Sequence, residues 1–113
     1  MRLEAKKYLY DIQQAASSIA DFTAGKEFED YRSDAMLRSA VERQFEIIGE
    51  ALAQLAKLNE TFVARISEHR RIIAFRNILI HGYADVDARL VWDIVVGKLP
   101  VLHREVETLL SEP

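Results

Sequence analysis

The stretch Ser33-Asp34-Ala35-Met36-Leu37-Arg38-Ser39-Ala40-Val41-Glu42-Arg43-Gln44-Phe45-Glu46-Ile47-Ile48-Gly49-Glu50-Ala51-Leu52-Ala53-Gln54-Leu55-Ala56-Lys57-Leu58 decides the fold. Leu37, Val41, Phe45, Ile48, Leu52 and Leu55 recur at three- and four-residue intervals, which puts them on one face of an α-helix. Ser33 is a good N-cap, since its hydroxyl can accept from a backbone N–H of the first turn, so the helix is predicted from Asp34 to about Leu58. An apolar stripe of that length must be covered, and other long helices cover it best.

The flanking sequence supplies those helices. Upstream, Ala5, Tyr8, Ile12, Ala15, Ile19 and Phe22 form the inward stripe of a helix from about Leu3 to Thr23, with Gly25 as its stop. Residues 25–33 form a connector, with one short helical turn around Phe28 to Tyr31. Downstream, a weaker segment from Glu60 to Ile66 precedes a helix from about Glu68 to Ile80 that ends at His81-Gly82. Asp85 or Asp87 caps a last helix running to about Leu110, which Pro100 bends or splits in two. The expected fold is all-α: a single domain over residues 1–113, built as an up-and-down bundle of four main helices with a short extra helix.

Composition narrows the function classes. With 113 residues, half of them hydrophobic, the chain holds one domain with one core. It has no cysteine, hence no disulfide framework and no thiolate metal site. No apolar run approaches the roughly 18 residues a membrane span needs, and the charged start lacks the features of a secretory signal. A cytoplasmic setting with no membrane partner is expected. The net charge of -3 argues against coating nucleic acid by bulk electrostatics, so any RNA contact has to be local. Arg65, His69, Arg70, Arg71 and Arg76 offer such a cluster, although a solvated helix face reads the same way.

Arg76 stands out within its helix. At about 100° per residue it falls near the middle of the arc drawn by Phe75, Leu79, Ile72, Ile80 and Ile73. A guanidinium buried there without a partner would cost several kcal/mol. Two readings account for it. Either Arg76 pairs with a carboxylate of the neighbouring helix, for which Glu42, Glu46 and Glu50 line up at four-residue spacing, or its planar fork waits in a cleft or protomer interface for a phosphate. Both can hold together, with Glu46 orienting the arginine.

His81 follows five residues later, about 140° round an unbroken helix from Arg76. It sits where Gly82 lets the chain leave the helix, so the long arginine stem and the imidazole can converge on one group. There the partial negative charge of the helix C-terminus favours a protonated imidazole. Asn77 is the helical neighbour of His81, and Tyr83 lies just past Gly82. Metal-free RNA cleavage needs a base for the 2′-hydroxyl proton, an acid for the leaving oxygen and positive charge on the developing phosphorane. Arg76 and His81 supply one cation and one proton carrier. Neither His69 nor His103 belongs to the same motif, so the second carrier points to a symmetric dimer with two motif helices across one cleft. The Glu-x-x-His pairs of di-metal bundles are missing, and no Gly-rich phosphate loop or nucleophilic triad occurs, so neither metal nor other cofactor is expected.

The motif Arg76-x4-His81-x-Tyr83 resembles that of the HEPN superfamily, and specifically of HepT-like toxins, also described as the DUF86 family. Two further blocks agree, Val41 to Leu52 and Val86 to Val95, and with the helix order the resemblance covers nearly the whole chain. It implies a homodimeric, metal-independent ribonuclease acting as a toxin, with Arg76 and His81 catalytic and Asn77 the polar residue beside the arginine. It also implies an antitoxin partner, a small MntA-type nucleotidyltransferase that attaches AMP to the tyrosine matching Tyr83. The competing expectation is a noncatalytic HEPN module whose groove binds a nucleotide or a protein. One departure stands out: the Pro-Trp-Arg lead-in and the Gly-Met before the arginine seen in many relatives are here Glu68-His69-Arg70 and Ala74-Phe75. The start of the motif helix is therefore expected to differ.

Overall fold

The computed structural model describes residues 2–113, and within them every regular element is helical, with no strand. Its elements are α1 (Leu3–Thr23), α2 (Phe28–Arg32), α3 (Ala35–Leu58), α4 (Glu60–Val63), α5 (His69–His81), a 3-10 turn (Tyr83–Asp85), α6 (Ala88–Gly97) and α7 (Leu99–Ser111). Helix α3 lies at the centre, packed on α1 and on α5, while α1 also packs on α7, and α6 turns back over α2. The bundle expected from the sequence is thus observed.

All six stripe residues predicted in α3 are buried. Phe45 meets Phe75 of α5 edge-on, with ring centroids 5.3 Å apart, and this contact sets how α5 lies on α3. In α1 the expected stripe needs correction. Leu9 and Ala16 are fully buried, whereas Phe22 is exposed and Tyr8 half-buried, because α1 packs against two helices and its apolar face is correspondingly wider.

Three local predictions resolve differently or more finely than the sequence allowed. Asp34, not Ser33, caps α3, its carboxylate accepting from the Leu37 N–H at 3.1 Å. The Ser33 hydroxyl instead donates to the Glu29 carbonyl at 2.7 Å and closes the short α2. Of the two aspartates proposed for the last cap, Asp87 does the work, accepting from the N–H groups of Arg89 and Leu90. Pro100 splits the last helix: it is the second residue of α7, where its missing N–H has no intrahelical partner to lose. Gly25 stops α1 in a left-handed conformation, φ +71°, which glycine adopts at no steric cost.

The segment leading into α5 is tied to α7 and to the residues at its two ends by polar contacts. Ser67 donates through its N–H and its hydroxyl to Glu105, Lys98 pairs with Glu68 at 2.5 Å, and Arg65 pairs with Glu112 at 2.5 Å. Glu68, just before α5, adopts φ 58°, a left-handed conformation that costs an L-residue about 1–2 kcal/mol. The hydrogen bond from Lys98 holds the Glu68 carboxyl below its ordinary pKa, with Lys98 and Arg71 charge adding to it.

Candidate active site on helix α5

Helix α5 touches the body chiefly through α3, so one side of it remains open. Phe75 and Leu79 are buried and Ile72 and Ile73 half-buried, but Ile80, expected to face inward, is 43 % exposed and Ile78 is 49 % exposed. The buried arc is narrower than the sequence suggested because only α3 covers it. Between α5 and the α6–α7 pair lies an apolar groove of about 400 Å³, with Ile72, Phe75 and Ile78 on one wall and Leu90, Ile94 and Val101 on the other.

Arg76 sits at the edge of the buried arc, with its side chain 18 % exposed. Of the two sequence readings for Arg76, the pairing with a carboxylate of α3 is the one the geometry shows. Its Nη1 donates to Glu50 Oε2 at 2.5 Å, so the carboxylate of α3 that holds it is Glu50. Glu46, proposed as the residue that orients Arg76, instead accepts from Arg43 at 3.3 Å, one turn earlier on its own helix. Glu42 stands farther back, where burial and the nearby charge of Glu46 raise its pKa. The Nε of Arg76 is buried with no hydrogen-bond partner, and its Nη2 donates no hydrogen bond within the described residues.

Gly49 explains how α5 comes so near. A Cβ built there would land on Arg76 Cβ and lie 2.8 Å from its Cγ, so only a glycine accommodates the arginine stem. This residue lay unremarked within the sequence. A glycine inside a long helix costs about 1 kcal/mol relative to alanine, and that cost is a legible sign of close backbone approach.

His81 is the last residue of α5 and is exposed, and the chain leaves the helix through a Gly82 N–H bond to the Ile78 carbonyl at 2.8 Å. Asn77 is exposed on the same helix. Tyr83 follows in the 3-10 turn and is 78 % exposed, so it does not pack against the last helix. His103 is elsewhere, on α7, within 3.4 Å of Ser17 and 3.2 Å of Glu107 through the same ring nitrogen. That leaves His81 as the histidine that shares α5's C-terminal half with Arg76.

The basic cluster is less available than its sequence suggests. Arg65 is held by Glu112, Arg71 by Glu68 and Arg76 by Glu50, which leaves His69 and Arg70 without an ion pair among the described residues. The glutamates of α3 do not converge either: no group of three or more His, Asp or Glu side chains placed to hold a metal occurs among the described residues. No helix among them is long and apolar enough to cross a membrane.

Fold and site define an all-helical bundle that carries an arginine, a histidine and a tyrosine along one helix end. Comparison with known proteins agrees: the model of the ribonuclease HepT-like family matches residues 12–109, and the chain belongs to that family. A Thermococcus cleftensis protein named as a probable ribonuclease HepT is 36 % identical over 109 residues, covering 96 % of this chain and 98 % of its own. A Methanocaldococcus jannaschii protein provisionally named an RNase is 35 % identical over 106 residues, with 92 % and 94 % covered. A third relative with an equally provisional RNase name, from Caldanaerobacter subterraneus subsp. tengcongensis, is 31 % identical over 107 residues, with 95 % of both chains covered. No solved structure gives a significant match.

Proposed function

We propose that this chain is a metal-independent endoribonuclease and the toxin of a toxin-antitoxin pair, working as a homodimer through Arg76 and His81. The observation that carries the reading is a HepT-like family chain in which His81 is exposed and Arg76, mostly buried, keeps part of its side chain accessible on the same helix. In the proposed reaction the RNA 2′-hydroxyl attacks the adjacent phosphorus, and one imidazole takes its proton. The bond from phosphorus to the 5′-oxygen breaks, and a second imidazole, from the other copy, protonates the leaving oxygen. The products are a cyclic phosphate and a 5′-hydroxyl. Arg76 stabilises the charge that builds on the phosphorane oxygens. At about 100° per residue the exposed Ile80 falls between Arg76 and His81 around α5, and a second copy seated there would cover it and bring the second His81.

The test is direct. Purified protein incubated with RNA in excess chelator should give fragments ending in cyclic phosphate. Intact RNA under those conditions would favour the noncatalytic binding module, a reading to which the neutralised basic cluster lends some weight.

Tyr83 we assign as the regulated residue. Its exposure beside His81 suits attachment of AMP by an MntA-type nucleotidyltransferase, and the added phosphate would bring negative charge and bulk where an RNA phosphate has to sit. Mass spectrometry of protein co-produced with such an enzyme should show AMP on the Tyr83 peptide and lowered cleavage. Modification elsewhere, or none, would remove this mechanism.

A further inference from the structure

We infer that Glu50 is a positioning residue for Arg76, holding the guanidinium in one orientation from a platform formed with Gly49 and Gln54. The inference rests on the proposed role of Arg76 in cleavage. Arginine has a long stem with many rotamers, and a cation that must meet a developing charge works best when it is already in place. Two consecutive residues of α3 fix it here. Gly49 lets the stem lie directly against the α3 backbone, as no other side chain could, and Glu50 takes Nη1 at 2.5 Å. Gln54, one turn further along, donates to the other Glu50 oxygen, Oε1, at 2.9 Å. The polar line therefore runs from Gln54 through Glu50 to Arg76.

No other carboxylate takes this place. Glu46 is engaged by Arg43, and Glu42 lies two turns before Glu50 on α3, beside Tyr31 and Arg38. With Nη1 engaged and Nε buried, Nη2 is the side of the guanidinium left to meet a phosphate oxygen. Glu50 itself is 53 % exposed, so its charge is partly screened and does not cancel that of Arg76. The opposite sign of effect is also physically available: a carboxylate so near the cation could repel RNA, and its removal would then speed cleavage. Experiment separates the two.

Single-turnover cleavage of an RNA oligonucleotide is measured for the wild type, Glu50→Ala, Glu50→Gln, Arg76→Ala and the double variant Glu50→Ala/Arg76→Ala, with circular dichroism to verify folding. Glu50→Ala should lower the rate constant by about tenfold to hundredfold, the scale of a misplaced catalytic group, and change the apparent affinity for RNA much less. Glu50→Gln keeps an oxygen acceptor in place and should recover part of the loss. In the Arg76→Ala background, Glu50→Ala should add nothing, since the group it positions is gone. Cleavage by Glu50→Ala at or above the wild-type rate overturns the inference, as does an equal loss with and without Arg76. If Arg76→Ala itself cleaves like the wild type, the proposed function fails first, so the two failures are distinguishable.

Discussion

His81→Ala is expected to cleave RNA about 10²- to 10⁴-fold more slowly than the wild type, the range over which a positioned acid or base accelerates proton transfer. Because the side chain is exposed at the end of α5, the fold should barely register the change, with stability altered by no more than about 0.5 kcal/mol. That combination, a large kinetic loss with an unchanged melting curve, separates chemistry from architecture. His103→Ala serves as the comparison, because that imidazole lies between Ser17 and Glu107 away from α5. Cleavage by His81→Ala within a few-fold of the wild type would show that the histidine only ends the helix. Equal losses in the two histidine variants would point to a general effect on the protein instead.

Gly49→Ala is expected to damage both stability and activity, against the trend of helix propensity. Alanine is favoured over glycine inside a helix by about 1 kcal/mol, so on an isolated helix the substitution would stabilise. Here the new methyl meets the Cβ of Arg76, which is fixed to the α5 backbone and cannot swing aside. Helix α5 must move off α3, which strains the Phe45–Phe75 contact. Overpacking of this kind typically costs about 1–3 kcal/mol, so the net effect should be a lowered melting temperature together with impaired cleavage. An unchanged or raised melting temperature would mean that α5 yields easily and that its close approach to α3 has little importance.

How much of this was legible in the sequence follows from what covers each helix. All six large apolar residues of the α3 stripe were legible because their three- and four-residue spacing matches one helix face, whereas the small Gly49 and Ala51, buried beside them, carry no apolar bulk to mark them. On α5 the apolar arc was read as too wide, since a wheel of residues does not say that only α3 covers it and that Ile80 faces outward. Arg76 was recognised as anomalous from its place on that arc. Which of three evenly spaced glutamates would hold it was not legible: the answer depends on how far along α3 the two helices cross, and Gly49 marks that crossing. Tyr83, which spacing alone could not orient, is exposed because the 3-10 turn carries it away from the body.

Two copies sharing one cleft is the central claim, and the absence of native cysteine makes it measurable. A single spin label at Tyr83→Cys, an exposed position beside His81, reports the distance between the two motifs in the dimer. The account predicts a strong intermolecular dipolar signal, at a separation well below the 42 Å length of one protomer. No such coupling, or a separation as long as the protomer itself, would contradict it.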